Sequence, residues 1–404
     1  MKRCNDMQSR YRSFQIFSLL FLLIAVGSTV VLGDEVSSMW SRIYSRARGY
    51  EDKIMIMTGI IEVDNPSIVY FLGTALADLN EQQNNISSTT ELLQHQELTK
   101  MVVRKLGELK AGEFSDLLYD VIKTTNDPYL KGEAIIALGR TANPEYSDDI
   151  AIFLRNLNLN IETGREDKEA EVLALAAVLA LERFSQPVGY TPLFFASIGW
   201  YSKLSSVREQ ASRVLDTLVA DPTETLKDLV RLETQFDIKI EALMAEYRSN
   251  APPEGKTAVA VEALQQGLVN QAGNATERSL LSRMRQNAMG IIREHGPGDD
   301  DSLDILEKLL YGRFDVTEKL TALETIGTYT GDNAALVLVK YLKLQNDRQM
   351  SGLAPEDYRV IKTTIRTLGI LANPIAFEEL SVVKISNWPP AVVRDADEAI
   401  KRIQ

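Results

Sequence analysis

Cysteine is nearly absent: Cys4 is the only one in 404 residues. A chain stripped of thiols beyond its fourth residue can form no disulfide scaffold and no zinc cluster of the thiolate kind, and stability has to come from core burial. Histidine is almost as scarce, with His95 and His295 far apart in sequence. No zinc cluster can be assembled from such spacing, which leaves only a carboxylate site open to a metal, and no metal or cofactor is expected. Aromatics make up 7% of the residues. Positive charge is outweighed, 44 Lys and Arg against 56 Asp and Glu for a net −12, with no basic run. An acidic chain without a basic surface repels phosphate, so nucleic acid is not an expected partner. Glycine is too sparse for a collagen-like repeat, and hydrophobic content of 45% is ample for a packed core rather than disorder.

What is present begins with the N-terminus. Lys2, Arg3, Arg10 and Arg12 precede an apolar stretch from Phe14 to Leu32, which Asp34 and Glu35 follow. A basic leader, a long apolar segment and a polar exit are the layout of a secretory signal or a membrane anchor, so residues 1–33 are read as one or the other. The stretch just suffices to span a hydrocarbon core of about 30 Å, so length does not separate the two outcomes. Small residues at Gly27 and Gly33 allow cleavage near either. Both outcomes place residues 34–404 outside the cytoplasm; the simple basic leader favours a bacterial periplasm or envelope over a eukaryotic secretory route. Cys4 lies before the apolar run, not at its end, unlike the lipid-bearing cysteine of a lipoprotein.

From Ser38 onward the apolar residues recur at intervals of three and four, and no alternating run flanked by hairpin turns appears. The expected fold is all-α. Breaks fall at Asn-Pro, Asp-Pro and Gly-Asp pairs, where the residue before proline leaves the α region and proline opens the next helix. Around these breaks the sequence repeats itself. Ala134 to Pro144 matches Ala322 to Asp332 and Thr364 to Pro374, each with a Leu or Ile directly before a glycine, then a turn and a second apolar helix. A fourth copy contains Leu106 and Gly107, and a weaker fifth runs through Ala177 and Leu181 with Glu182 in the glycine's place. The repeat turns are thus marked by Gly107, Gly139, Asn143, Pro144, Gly327, Gly369, Asn373 and Pro374. Gly107 and Gly139 are 32 residues apart, and Gly327 and Gly369 are 42 apart, periods of helix-pair repeats. Near the end of a first helix, close backbone packing or a strained terminal conformation favours glycine. One helix pair cannot bury its own apolar faces, so copies are expected to stack as an α-solenoid.

These segments resemble HEAT repeats, most of all the short HEAT-like units also found in phycobilin lyase subunits, whose pattern is Asp-Pro, Val-Arg, Ala, then Ala-Leu-Gly, a turn and a Leu-rich helix. Asp127-Pro128 through Ala134 to Gly139 follows it closely. Val207-Arg208 with Ala211 and Leu215 supplies its middle portion, and Pro390 to Ile400 supplies a last half-repeat. The resemblance covers residues 100–220 and 285–404. The expected organisation is a leader or anchor at 1–33, an N-terminal helical cap with a polar loop at 34–96, HEAT-like repeats at 97–222 and C-terminal repeats at 286–404. Residues 223–285, interrupted at Asn250 to Gly255 and Asn270 to Asn274, read as divergent repeats or as a helical insertion.

Candidate chemistry is thin. Gly255-Lys256-Thr257 lacks the earlier glycine of a phosphate loop. Gly296 to Asp304 concentrates carboxylates without the order of a calcium loop, and its aspartates are better placed to cap and charge a helix start. Asn85-Ile-Ser87 and Asn274-Ala-Thr276 match the glycosylation tripeptide, relevant only in a eukaryotic secretory host. The segment Tyr190 to Tyr201, with Lys203 and Arg208 after it, is rich in the residue types of binding hot spots. Trp200, Tyr201, Lys203 and Arg208 are therefore candidate partner-binding residues; the competing reading makes the segment the core of a second helix. No catalytic constellation is expected. The function expected is a non-enzymatic extracytoplasmic scaffold holding a protein partner along an α-solenoid. The resemblance alone implies an enzyme-subunit reading, and the N-terminal segment a purely structural envelope tether.

Overall fold

The computed structural model describes residues 35, 37–62, 66–159, 167–202, 206–297 and 300–404. The N-terminal segment 1–33 and Lys203 lie outside them. Among the described residues the regular structure is helical, with no strand, and no helix is long and apolar enough to cross a membrane. Two compact units divide between Leu218 and Val219, whereas composition placed the boundary of the clear repeats at 222/223.

In the first unit a short helical stretch at 37–45 precedes α1 (Tyr50–Ile61), α2 (Val69–Gln82), α3 (Thr89–Glu108), α4 (Ser115–Thr124) and α5 (Pro128–Thr141). Then come α6 (Ser147–Leu159), α7 (Lys168–Phe184), α8 (Tyr190–Ile198) and α9 (Ser206–Leu218). The helices alternate between two layers: α1, α3, α5, α7 and α9 each pack on the next, while α2 packs on α4 and α6 on α8. Apolar residues meet between the layers, where Leu72, Leu106, Leu138 and Leu181 are sealed from solvent. The polar loop expected within 34–96 is shorter than the polarity of Asn80 to Thr90 suggests. Helix α2 runs to Gln82 and a 3-10 turn continues to Asn85, because polar side chains on an outward face do not interrupt backbone hydrogen bonding.

The connections in this unit copy one another. Lys110, Ala142 and Ser185 each adopt a left-handed backbone, φ 54°, 55° and 51°, three positions after Gly107, Gly139 and Glu182. A 3-10 turn then opens at Gly112, Pro144 and Pro187, and the second helix starts at Ser115, Ser147 and Tyr190. At the middle turn Asn143 accepts the Glu145 N–H at 3.2 Å, and Asp127 caps α5 by accepting the N–H groups of Tyr129 and Leu130 at 2.8 and 2.9 Å. The earliest connection shares the plan, since a 3-10 turn at Pro66–Ile68 leads into α2.

The glycines themselves are not in left-handed conformations. Their role is close approach: a Cβ on Gly107 would lie 2.7 Å from Ala137 Cα, and one on Gly139 would lie 2.5 Å from Ala180 Cα. Each glycine thus meets the alanine two positions before its counterpart in the next copy, which lets backbones touch. Where Glu182 replaces glycine, the approach changes character, and its carboxylate accepts a hydrogen bond from Gln210 of α9 at 3.2 Å.

The second unit holds α10 (Thr223–Leu232), α11 (Phe236–Arg248), α12 (Pro253–Val269), α13 (Ala275–His295) and α14 (Asp300–Tyr311). It continues through α15 (Val316–Ile326), α16 (Asp332–Met350), α17 (Tyr358–Leu371), α18 (Phe377–Val383) and α19 (Pro390–Ile403). Layering recurs, with α11, α13, α15, α17 and α19 in succession and α10, α12, α14, α16 and α18 beside them. The turn after α17 matches those of the first unit: Ala372 has φ 48°, a 3-10 turn follows at Pro374, and Asn373 accepts the Ile375 N–H at 3.0 Å. A Cβ on Gly369 would come within 3.0 Å of Ala399 Cα. The Gly327 copy differs in kind, for its nearest contact, at 3.0 Å, is the Thr367 side-chain methyl instead of backbone, and its positive-φ residue is Gly331, φ 104°. Both interruptions read in 223–285 are real breaks, between α11 and α12 and between α12 and α13.

One buried ion pair fastens this unit. Arg285 donates to Glu318 at 2.7 and 2.9 Å and to the Gly267 carbonyl at 2.7 Å, joining α12, α13 and α15. Both side chains are under a tenth exposed, and the guanidinium stacks over Phe314. Bidentate geometry and the added carbonyl offset the desolvation of two charges.

Candidate functional site

The aromatic segment after α8 is turned inward. Tyr201 is 1% exposed and its hydroxyl donates to Asn158 Oδ1 at 2.7 Å. Trp200 is half-buried, donates its indole N–H to the Leu157 carbonyl at 3.3 Å and lies against the Tyr201 ring with centroids 4.4 Å apart. Arg208 gives its Nε–H to the Ser197 carbonyl at 3.1 Å, closing the end of α8. Tyr201 therefore does not offer a partner the surface expected of it, because its ring and its hydroxyl are both used to join α8 to the end of α6. Burial also pushes the Tyr201 hydroxyl well above the usual phenol range, with the nearby Glu171 charge adding to it. The exposed aromatics of this unit stand elsewhere. Tyr70 is 68% and Tyr129 is 53% exposed, and Tyr129 directly follows the Asp-Pro that opens α5. Periodicity alone could have marked Tyr129, since it lies off the Leu130, Ala134 and Leu138 stripe.

The second unit contains a cavity of about 490 Å³ built from two motifs that carried no function in the sequence. Its floor is one face of α12, where Thr257, Ala258, Val261 and Glu262 recur at helical spacing. Lys227 of α10 borders one side of that floor, and His295 with Asp301 and Ile305 of α14 borders the other. Thr257, from the Gly-Lys-Thr run, donates to the Gly296 carbonyl at 3.2 Å and so ties the floor to the acidic loop. The expected helix start in that loop is present, since α14 begins at Asp300. His295 Nε2 is buried and has no hydrogen-bond partner among the described residues, while its ring meets Tyr247 edge-on at 5.8 Å.

Glu262 is already engaged: Gln266 donates to it at 3.1 Å and Arg231 lies 3.6 Å away. Lys227, Glu254 and Asp301, all bordering the cavity, form no ion pair among the described residues. Among the described residues no group of three or more His, Cys, Asp or Glu is placed to hold a metal ion.

No protein-family model matches the chain, and no curated protein sequence matches it. Among solved structures, the crystal structure of an engineered protein from a structural genomics consortium aligns over 81% of this chain and 98% of its own, at 17% identity and a TM-score of 0.26.

Proposed function

We propose that this chain is a HEAT-like α-solenoid that acts outside the cytoplasm as a non-enzymatic scaffold, holding a protein partner on exposed aromatic positions of its first helices. The observation that carries the reading is the copied turn: left-handed residue, 3-10 turn and second helix recur in one register after Gly107, Gly139, Glu182 and Gly369. Copies in register, each with its first helix against the next, are what a nearest-neighbour repeat array requires. The basic leader and apolar stretch at residues 1–33 support placement in a bacterial envelope, secreted or anchored. Fold resemblance by itself is a weak guide to activity, so the partner surface is taken from exposure, and Tyr129 is exposed at a capped helix start.

In-cell crosslinking of the native protein with mass spectrometry tests it. A discrete complex with one envelope protein is expected, with crosslinks around residues 120–140. Tyr129→Ala should reduce that crosslink at least about fivefold, the loss of a typical hot-spot side chain of over 1 kcal/mol, with the helical content unchanged. Self-crosslinks alone, or full complex formation by the variant, would turn the reading towards a structural tether.

A further inference from the structure

One stretch runs against the acidity of the whole chain. From Val36 to Tyr50 there is no carboxylate, and there are three arginines, Arg42, Arg46 and Arg48. Much of this stretch is the helical piece at 37–45. Its inner side is fixed by Tyr44, which is buried and meets the Phe71 ring of α2 edge-on at 5.4 Å. Trp40, one turn earlier, packs against the same core. At about 100° per residue from that side, Ser38, Ser41 and Ser45 fall on one flank, and Met39, Arg42, Ile43 and Arg46 fall on the other. Met39 is 49% and Ile43 is 40% exposed, and both arginines are exposed. Neither Arg42 nor Arg46 forms an ion pair among the described residues. Glu35, exposed one turn before Met39, adds one negative charge to the start of the helix, and the flank keeps a positive excess.

Apolar side chains beside guanidinium groups on one flank suit the headgroup layer of a bilayer. The apolar tips reach the acyl boundary while arginine meets phosphate through charge-assisted hydrogen bonds, and the charge selects anionic lipid. Position in the chain points to the same occupant. The apolar stretch ends at Leu32 and the helical piece begins at residue 37, and five residues reach at most about 18 Å. A chain anchored through Phe14 to Leu32 therefore keeps this helix beside the headgroups. We infer that the flank of Met39, Arg42, Ile43 and Arg46 lies on anionic lipid headgroups and sets how the first unit stands on the membrane. Two arginines and two apolar side chains give too weak a contact to hold a released chain, so the inference rests on the anchored form of the envelope placement proposed above. It needs no protein partner.

The full chain, reconstituted into vesicles of phosphatidylcholine with or without phosphatidylglycerol, tests this. An environment-sensitive dye is placed at Ile43→Cys or, on the serine flank, at Ser41→Cys, each in a Cys4→Ser background. With phosphatidylglycerol present, headgroup nitroxides should quench the dye at 43 more than the dye at 41, and the difference should vanish in phosphatidylcholine alone. Arg42→Glu with Arg46→Glu should abolish the quenching at 43, since about fivefold in the contact equilibrium goes with each arginine. Arg42→Lys with Arg46→Lys should keep it, and unchanged helical content shows that both variants fold. Equal quenching at 41 and 43, or quenching that survives the charge reversal, would overturn the inference. Shielding at 43 that grows with protein density and ignores lipid charge would assign the flank to a second copy instead. A chain that does not stay with the vesicles overturns the anchor and the inference together, whereas a retained chain whose dye at 43 stays in water overturns the inference alone.

Discussion

The single residue whose chemistry the structure constrains most is Glu246. It is wholly buried, and the Thr223 hydroxyl lies 2.8 Å from its Oε1 and 2.6 Å from Asp221 Oδ1. One hydroxyl carries one hydrogen, so it can donate to only one of these carboxylates. The partly exposed Asp221 is the natural acceptor, and a protonated Glu246 then donates to Thr223 Oγ1. Burial raises the Glu246 carboxyl above its usual range, the Asp221 charge adds to this, and the Lys256 charge opposes it. Its second oxygen has no partner among the described residues, a heavy desolvation cost for an anion and a lesser one for a neutral acid. Because the folded state holds this proton more tightly than the unfolded chain, its contribution is full at pH below the ordinary carboxyl range. That contribution is lost as pH rises through the raised folded value. Glu246→Gln keeps a donor towards Thr223 and cannot ionise, so the variant should gain on the wild type as pH rises. Urea midpoints of both proteins at acidic and neutral pH would show the gap widen; a constant gap would mean that Glu246 does not titrate in that window.

At the scale of the helix, one interval explains both what the glycines do and what they do not. Gly139 abuts Ala180 with no room for a Cβ, whereas Gly290, inside α13, has nothing within 4 Å of the Cβ it lacks. Gly139→Ala forces α5 away from α7 and should cost about 1–3 kcal/mol, as overpacking does. Gly290→Ala meets open space and should stabilise by about 0.5–1 kcal/mol through helix propensity. Thermal unfolding of the two variants beside wild type checks the opposite signs. Much of this plan was legible in the chain: the apolar stripe of Leu130, Ala134 and Leu138 sets the buried face, and Asn143-Pro144 sets the turn. The left-handed residue was not legible, because it falls on Lys110, Ala142, Ser185 and Ala372, types that advertise no such conformation and are held there by flanking helix and 3-10 hydrogen bonds. Composition left two readings open at Trp200 and Tyr201. Aromatic hot-spot chemistry and aromatic core chemistry use the same residues, and only the contacts to Leu157 and Asn158 separate them. The cavity could not be foreseen for a related reason: its floor on α12 and its border at His295 and Asp301 lie too far apart in sequence for any local motif to join them.

For the whole molecule, the near absence of cysteine turns the fate of the N-terminus into a chemical readout. Cys4 is the sole thiol and precedes the apolar stretch from Phe14 to Leu32. If that stretch is removed near Gly27 or Gly33 during export, every mature chain loses its only thiol. If it is kept as an anchor, every chain retains one thiol and stays with the bilayer, where a span of this length sits on hydrophobic burial alone. Thiol content and membrane attachment should therefore vary together: released protein should take up no maleimide under denaturing conditions, and membrane-bound protein should take up one per chain. Cell fractionation followed by intact-mass measurement after labelling reads both at once. A thiol-bearing chain recovered from the cytosol would contradict export, and with it the extracytoplasmic scaffold proposed above, which requires Lys2, Arg3, Arg10 and Arg12 to stay on the cytoplasmic side while the acidic remainder crosses.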